Sequence, residues 1–133
     1  MYAIIIITHE DLGEVYLRSA THILGEQPLT STISVSSNTS CCDVVCDKIK
    51  EHLNQLGSDN EVLILADLFG ATPCNATMAC QQELSHQVKV IAGLNFPMLL
   101  KALTCRHSPV AEVVDDIIAT AQAGIFDATK KFF

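Results

Sequence analysis

The sequence predicts an α/β domain built on an open, doubly wound, mainly parallel sheet with strand order 2-1-3-4. Three observations carry that expectation. Short, continuous, β-branched runs (YAIIIIT at residues 2–8 and EVLILAD at 61–67) have the composition of strands buried on both faces. Segments of helix length with helical periodicity lie between the strands. The two kinds alternate along the chain, which calls for a parallel sheet covered by helices on both faces, with right-handed crossovers.

Each element has its own signature. Residues 2–8 form the first strand. Residues 11–24 follow as a helix, with Leu12, Val15, Tyr16, Ser19 and Ile23 on one side and Gly25 as a stop. Residues 31–36 (STISVS) alternate weakly and predict the second strand. From Ser40 to Leu56, Val44, Val45, Ile49, Leu53 and Leu56 recur at helical spacing, and Gly57 takes the position just past the helix end. Residues 61–67 are the third strand. Thr72-Pro73 then places an N-cap residue before a proline at the first helical position, and that helix runs to about Glu83. Residues 87–93 (QVKVIAG) are the fourth strand. Asn95-Phe96-Pro97 opens a helix to about Thr104, and Ala111–Ala123 is a last amphipathic helix ended by Gly124. The tail Ile125–Phe133 is compatible with a short strand or a frayed end.

Composition narrows the class. The chain has 133 residues, 49% of them apolar, which suits a single domain over 1–133 able to fold without disulfides or metal. Its formal net charge of -7 argues against a nucleic-acid binder and against docking on an anionic membrane surface. The amino-terminal apolar run has no basic residue before it and is followed by Glu10-Asp11, unlike a secretory signal. No run approaches the ~20 apolar residues that span a bilayer. A cytoplasmic protein is expected.

Six cysteines (Cys41, Cys42, Cys46, Cys74, Cys80 and Cys105) contain no CxxC pair, so the common zinc spacing is missing. Reduced, mostly buried thiols are the expected state. Cys41, Cys42 and Cys46 share one predicted helix and give a minor alternative, a soft-metal site. No metal and no cofactor are expected. The Asn38-Thr39-Ser40 and Asn75-Ala76-Thr77 sequons have no consequence in that compartment.

The topology itself nominates a site. In a 2-1-3-4 order the switch point lies between the first and third strands, and ligand chemistry sits just past their carboxyl ends. Those ends carry Thr8-His9 and Ala66-Asp67. A carboxylate that accepts a hydrogen from one imidazole nitrogen fixes the tautomer and frees the other nitrogen as base, nucleophile or ligand. The following loop, Leu68–Asn75, adds Gly70 for a tight turn and a hydroxyl at Thr72. It also adds a helix start whose unpaired N–H groups at Ala71–Thr72 suit an anion such as a phosphoryl group. His22, His52, His86 and His107 have no carboxylate partner placed by the topology. The phosphate and dinucleotide loops GxxxxGK[ST] and GxGxxG and the GxSxG elbow are absent. Asp67 as a response-regulator-like phosphoacceptor is a weak alternative, since no strand ends in the lysine such a site uses.

The segment IIIITHEDLGEVYLRSATHILGEQ resembles the opening of the mannose-family IIA domain of the bacterial phosphoenolpyruvate:sugar phosphotransferase system. LILADLFGATPCNAT is similar to the family's second signature and VIAGLNFPMLLKAL to its third. The three blocks stand in order and span the chain from Ala3 to about Gly124. The resemblance implies that His9 accepts a phosphoryl group on Nε2 from the phosphocarrier HPr and passes it to a IIB component. It implies that Asp67 holds Nδ1, that Thr72 with Ala71 and Gly70 helps bind the phosphate, and that the protein is peripheral to a membrane permease at most. It also implies a homodimer whose carboxyl-terminal strand crosses to the partner's sheet. The chain departs from the family pattern at Glu10, Ala71 and Cys74, where a glycine, a glycine and an aromatic residue are usual. A carboxylate at Glu10 would repel an incoming phosphoryl group unless it points to solvent. A stand-alone regulatory module that reports its phosphorylation state to a non-transport partner is the alternative function. A cysteine-based metal or redox protein is a third and weaker one.

Overall fold

In a computed structural model of the chain, the described residues are 1–36, 42–56, 61–68, 75, 78 and 87–132. The strands are β1 (Ala3–His9), β2 (Thr30–Val35), β3 (Val62–Ala66) and β4 (Val88–Ala92). The helices are α1 (Leu12–Leu24), α2 (Cys42–Leu56), α3 (Phe96–Thr104), α4 (Val110–Ala123) and the short α5 (Ala128–Phe132). The sheet is parallel throughout, in the order β2-β1-β3-β4. Of the helix predicted over 72–83, only Asn75 and Met78 are among the described residues, and both are helical.

β1 is the axis of the molecule. Ile4, Ile5, Ile6 and Ile7 are all fully buried. Alternation along the pleat sends them to opposite faces. Ile4 and Ile6 join Leu63, Leu65 and Ile91 beneath α1, α3 and α4, in a core with Leu99, Ile117 and Ala121. Ile5 and Ile7 join Ile33, Val35, Ile64 and Val88 against Val45, Ile49 and Leu53 of α2. Burial of an isoleucine side chain contributes roughly 2 kcal/mol, so this run anchors both layers at once.

The inward face of α1 is Gly13, Tyr16, Leu17 and Ala20, so of the residues expected to face the core only Tyr16 packs against it. Gly13 and Ala20 are its buried residues, whereas Leu12, Val15 and Ile23 are exposed. The reason is a close approach. A Cβ on Gly13 would stand 3.1 Å from Cγ2 of Ile6 and 3.2 Å from Oγ1 of Thr8. The Gly13 N–H donates to that same buried Thr8 hydroxyl at 2.8 Å. Gly13 and Ala20 let the helix lie flat on β1, half-buried Tyr16 and Leu17 pack into the same core, and Leu12, Val15 and Ile23 are left outside.

The opposite end of the sheet is tied by Arg106, which is 2% exposed. Its Nε and Nη2 donate to the Tyr2 carbonyl at 3.1 and 2.8 Å, and Nη2 also donates to the Leu29 carbonyl at 2.9 Å. Nη1 donates to Thr30 Oγ1 at 2.9 Å. Burial lowers the proton affinity of the guanidinium from its ordinary value. Burial likewise pushes the Tyr2 hydroxyl, which donates to the Ala102 carbonyl, up to about 12.

The tail is a short helix rather than a strand or a frayed end. Its backbone groups pair locally, the Lys130 N–H donating to the Asp127 carbonyl at 3.2 Å. Asp127 Oδ1 accepts the Thr129 N–H at 3.0 Å to start the turn. Cys46 and Cys105 are free, half-buried thiols. Cys41, Cys74 and Cys80 lie outside the described residues. Among those residues no group of three or more His, Cys, Asp or Glu side chains is placed to hold a metal ion. Nor is any helix among them long and apolar enough to cross a membrane.

Replacing Arg106 with Met should cost roughly 3 kcal/mol, because two buried carbonyls and a hydroxyl lose a charged donor. A urea titration checks this; a loss below about 1 kcal/mol would show that the clamp contributes little.

Candidate functional site

Parallel pairing brings the carboxyl ends of β1 and β3 side by side. Ile7 is in register with Ala66, so His9, the last residue of β1, and Asp67, the first beyond β3, emerge together at the sheet's edge. Oδ2 of Asp67 accepts the His9 backbone N–H at 2.9 Å and lies 2.9 Å from the His9 ring Nδ1. Oδ1 accepts the Leu68 N–H at 2.9 Å. The carboxylate is therefore held by two backbone donors before it meets the imidazole, and its orientation does not depend on the ring.

The tautomer follows from donor arithmetic. An ionised carboxylate only accepts, so the proton in the ring contact belongs to Nδ1. In the neutral ring Nε2 then carries the lone pair. Nε2 has no hydrogen-bond partner among the described residues. Exposure divides in the same sense: the His9 side chain is 44% accessible and that of Asp67 9%. One group is sheltered and fixed, and the other is presented to solvent. Among the described residues no other histidine lies within 4 Å of a carboxylate. His52 Nδ1 instead faces Ser31 Oγ at 2.9 Å, His22 and His107 are exposed, and His86 lies outside the described residues. Gly70, Ala71 and Thr72, expected to cradle an anion, also lie outside them.

Two features of the site were not read from the sequence. The first is the Thr8–Gly13 contact, which fixes the strand end immediately before His9; a glycine in the first turn of a helix was its available signal. The second is the conformation of Glu10. Its φ of 51° lies in the left-handed region, and its N–H donates to the Val35 carbonyl at 2.9 Å. A side chain there costs roughly 1–2 kcal/mol that glycine avoids. β1 ends at that bond, and the chain turns sharply into α1 within two residues of His9. Glu10 is exposed, as are Asp11 and Glu14 on the same turn.

The chain is 32% identical over 119 residues to the PTS system mannose-specific EIIAB component of Escherichia coli (strain K12), a match covering 90% of this chain and 36% of that protein. The chain thus spans little more than a third of the length of that relative. The PTS system fructose-specific EIIA component of Bacillus subtilis (strain 168) is 28% identical over 123 residues, covering 92% of this chain and 83% of that protein. The crystal structure of phosphotransferase system component EIIA from Streptococcus agalactiae superposes with a TM-score of 0.88 at 30% identity, over 98% of this chain and 99% of that one. The family model described as PTS system fructose IIA component matches residues 3–122, and the chain belongs to that family.

Proposed function

We propose that this domain is a phosphoryl carrier of the phosphotransferase system, taking a phosphoryl group from HPr on His9 and passing it to a IIB component during sugar uptake. The observation that carries the reading is the His9–Asp67 pair: one nitrogen occupied by a sheltered carboxylate, the other without a partner among the described residues on a side chain 44% exposed. Family membership supports the same reading. In the transfer, the Nε2 lone pair forms a new P–N bond while the donor's P–N bond breaks and its electron pair returns to the donor ring. The His9 ring becomes cationic, because Nδ1 keeps its proton. Asp67 then faces that developing charge at hydrogen-bond distance, where a preorganised carboxylate stabilises it without reorganisation. Gly70, Ala71 and Thr72 are the groups proposed to hold the phosphoryl oxygens, with Thr72 supplying a hydroxyl. The whole span 1–133 acts as one cytoplasmic domain, peripheral to the permease it serves.

A homodimer with exchange of the carboxyl-terminal segment belongs to the same proposal. Ile125 and Phe126 are 77% and 53% exposed in the single chain, and a cavity of about 390 Å³ between β4 and α4 is lined by Val90, Ile91, Met98 and Ile118. Exposed apolar chain beside an apolar groove on an edge strand suits strand addition from a second copy.

Incubation with phosphoenolpyruvate, enzyme I and HPr should add one phosphoryl group, and His9→Ala should abolish it. A label that survives in that variant moves the acceptor elsewhere. Asp67→Asn should remain folded but slow transfer by about 10²–10³-fold, since an amide can present the wrong tautomer of the ring and carries no charge. Wild-type rates in Asp67→Asn would remove the carboxylate from the mechanism. Sedimentation should give twice the chain mass, and truncation after Gly124 should give the monomer; a monomeric full-length chain ends the exchange proposal.

A further inference from the structure

The outward side of α1 carries a stripe of exposed apolar residues. Leu12 and Val15 are 44% and 39% exposed, and Ile23 continues the stripe toward the helix end. That stripe starts three residues from His9, so a protein close enough to exchange a group with Nε2 must cover its first turn. Leu68, next to Asp67, is exposed on the other strand end. Three carboxylates, Glu10, Asp11 and Glu14, edge the same turn. Asp11 and Glu14 have a local role, since acids at a helix start complement its dipole. Glu10 precedes the helix, its side chain makes no hydrogen bond or ion pair among the described residues, and it occupies a backbone conformation that favours glycine.

We propose that Glu10, Leu12 and Val15 form the footing for the protein that exchanges phosphoryl groups with His9, and that Glu10 selects a partner whose apolar patch is edged by Lys or Arg. This rests on the reading of His9 as phosphoacceptor. A carboxylate next to the acceptor repels the transferring group on its own. Paired with a partner cation it is neutralised, and the same charge draws that partner in. Glu10 is a positioning residue here and touches no reacting atom.

The test compares two donors on wild type, Glu10→Gln, Glu10→Gly and Leu12→Ser. Phosphoramidate is small and needs no docking surface; phosphorylated HPr does. With HPr, each variant should raise KM about fivefold or more and leave kcat within about twofold, and both Glu10 variants should flatten the fall of rate with salt. With phosphoramidate, all should label at wild-type rates or slightly faster. Glu10→Gly should melt at or above wild type, which separates lost charge from lost fold. Unchanged KM and salt slope with HPr would overturn the proposal, as would an equal loss with both donors. Failure of wild type to accept label from either donor would instead overturn the phosphoacceptor reading beneath it.

Discussion

The structure depends on one pairing, β1 against β3. Parallel register with Ile7 opposite Ala66 fixes where each strand stops, and so fixes how far His9 stands from Asp67. A shift of one residue would turn every isoleucine of β1 to the wrong layer, because side chains alternate with period two. Both faces of β1 are buried, so such a shift would disrupt both cores together. The precision of a 2.9 Å contact at the strand ends is therefore secured by apolar packing along the whole strand. Neither the histidine nor the aspartate has to supply the energy that brings them together.

Two devices hold β1 at its ends, and they differ in chemistry. At the amino end, Arg106 reaches the Tyr2 carbonyl, the Leu29 carbonyl and the Thr30 hydroxyl, and so binds β1 to β2 with charged donors. At the carboxyl end the lock is steric. Gly13 lies so close to Ile6 and Thr8 that a methyl group there would be tightly crowded, and Thr8 accepts its N–H. A charged clamp beside the reactive ring would alter the field in which it works. A hydroxyl and a glycine fix the same backbone without doing so.

The fold was legible because its strongest signals are long-range consequences of local pattern. Continuous β-branched runs meant strands buried on both sides, and alternation with helices then forced the parallel order and the switch point. The His9–Asp67 pair followed from that order rather than from any motif. What escaped reading has a common cause. The periodicity of α1 marks where large apolar residues lie, but helix approach is decided by the smallest ones, and Gly13 and Ala20 carry no hydrophobic signal. The burial of Arg106 escaped because burial of a charge depends on carbonyls distant in sequence, at Tyr2 and Leu29. The tail was ambiguous for a related reason: a segment so short, with no sustained period of 2 or 3.6, has no single pattern to show.

The exposed apolar edge of α1 links packing to function. The helix presents Tyr16, Leu17 and Ala20 to the core, and the close approach of Gly13 fixes that rotation. Leu12, Val15 and Ile23 are then left at the helix's outer edge, beside the site. The arrangement forgoes some burial within the monomer. It gains a short, rigid connection from the end of β1 into α1, with Glu10 as the residue bent to make it. The tight turn that holds His9 in place thus leads directly into the apolar ridge next to it. Rigidity at the reacting nitrogen and an open surface for a second protein arise from the same few residues.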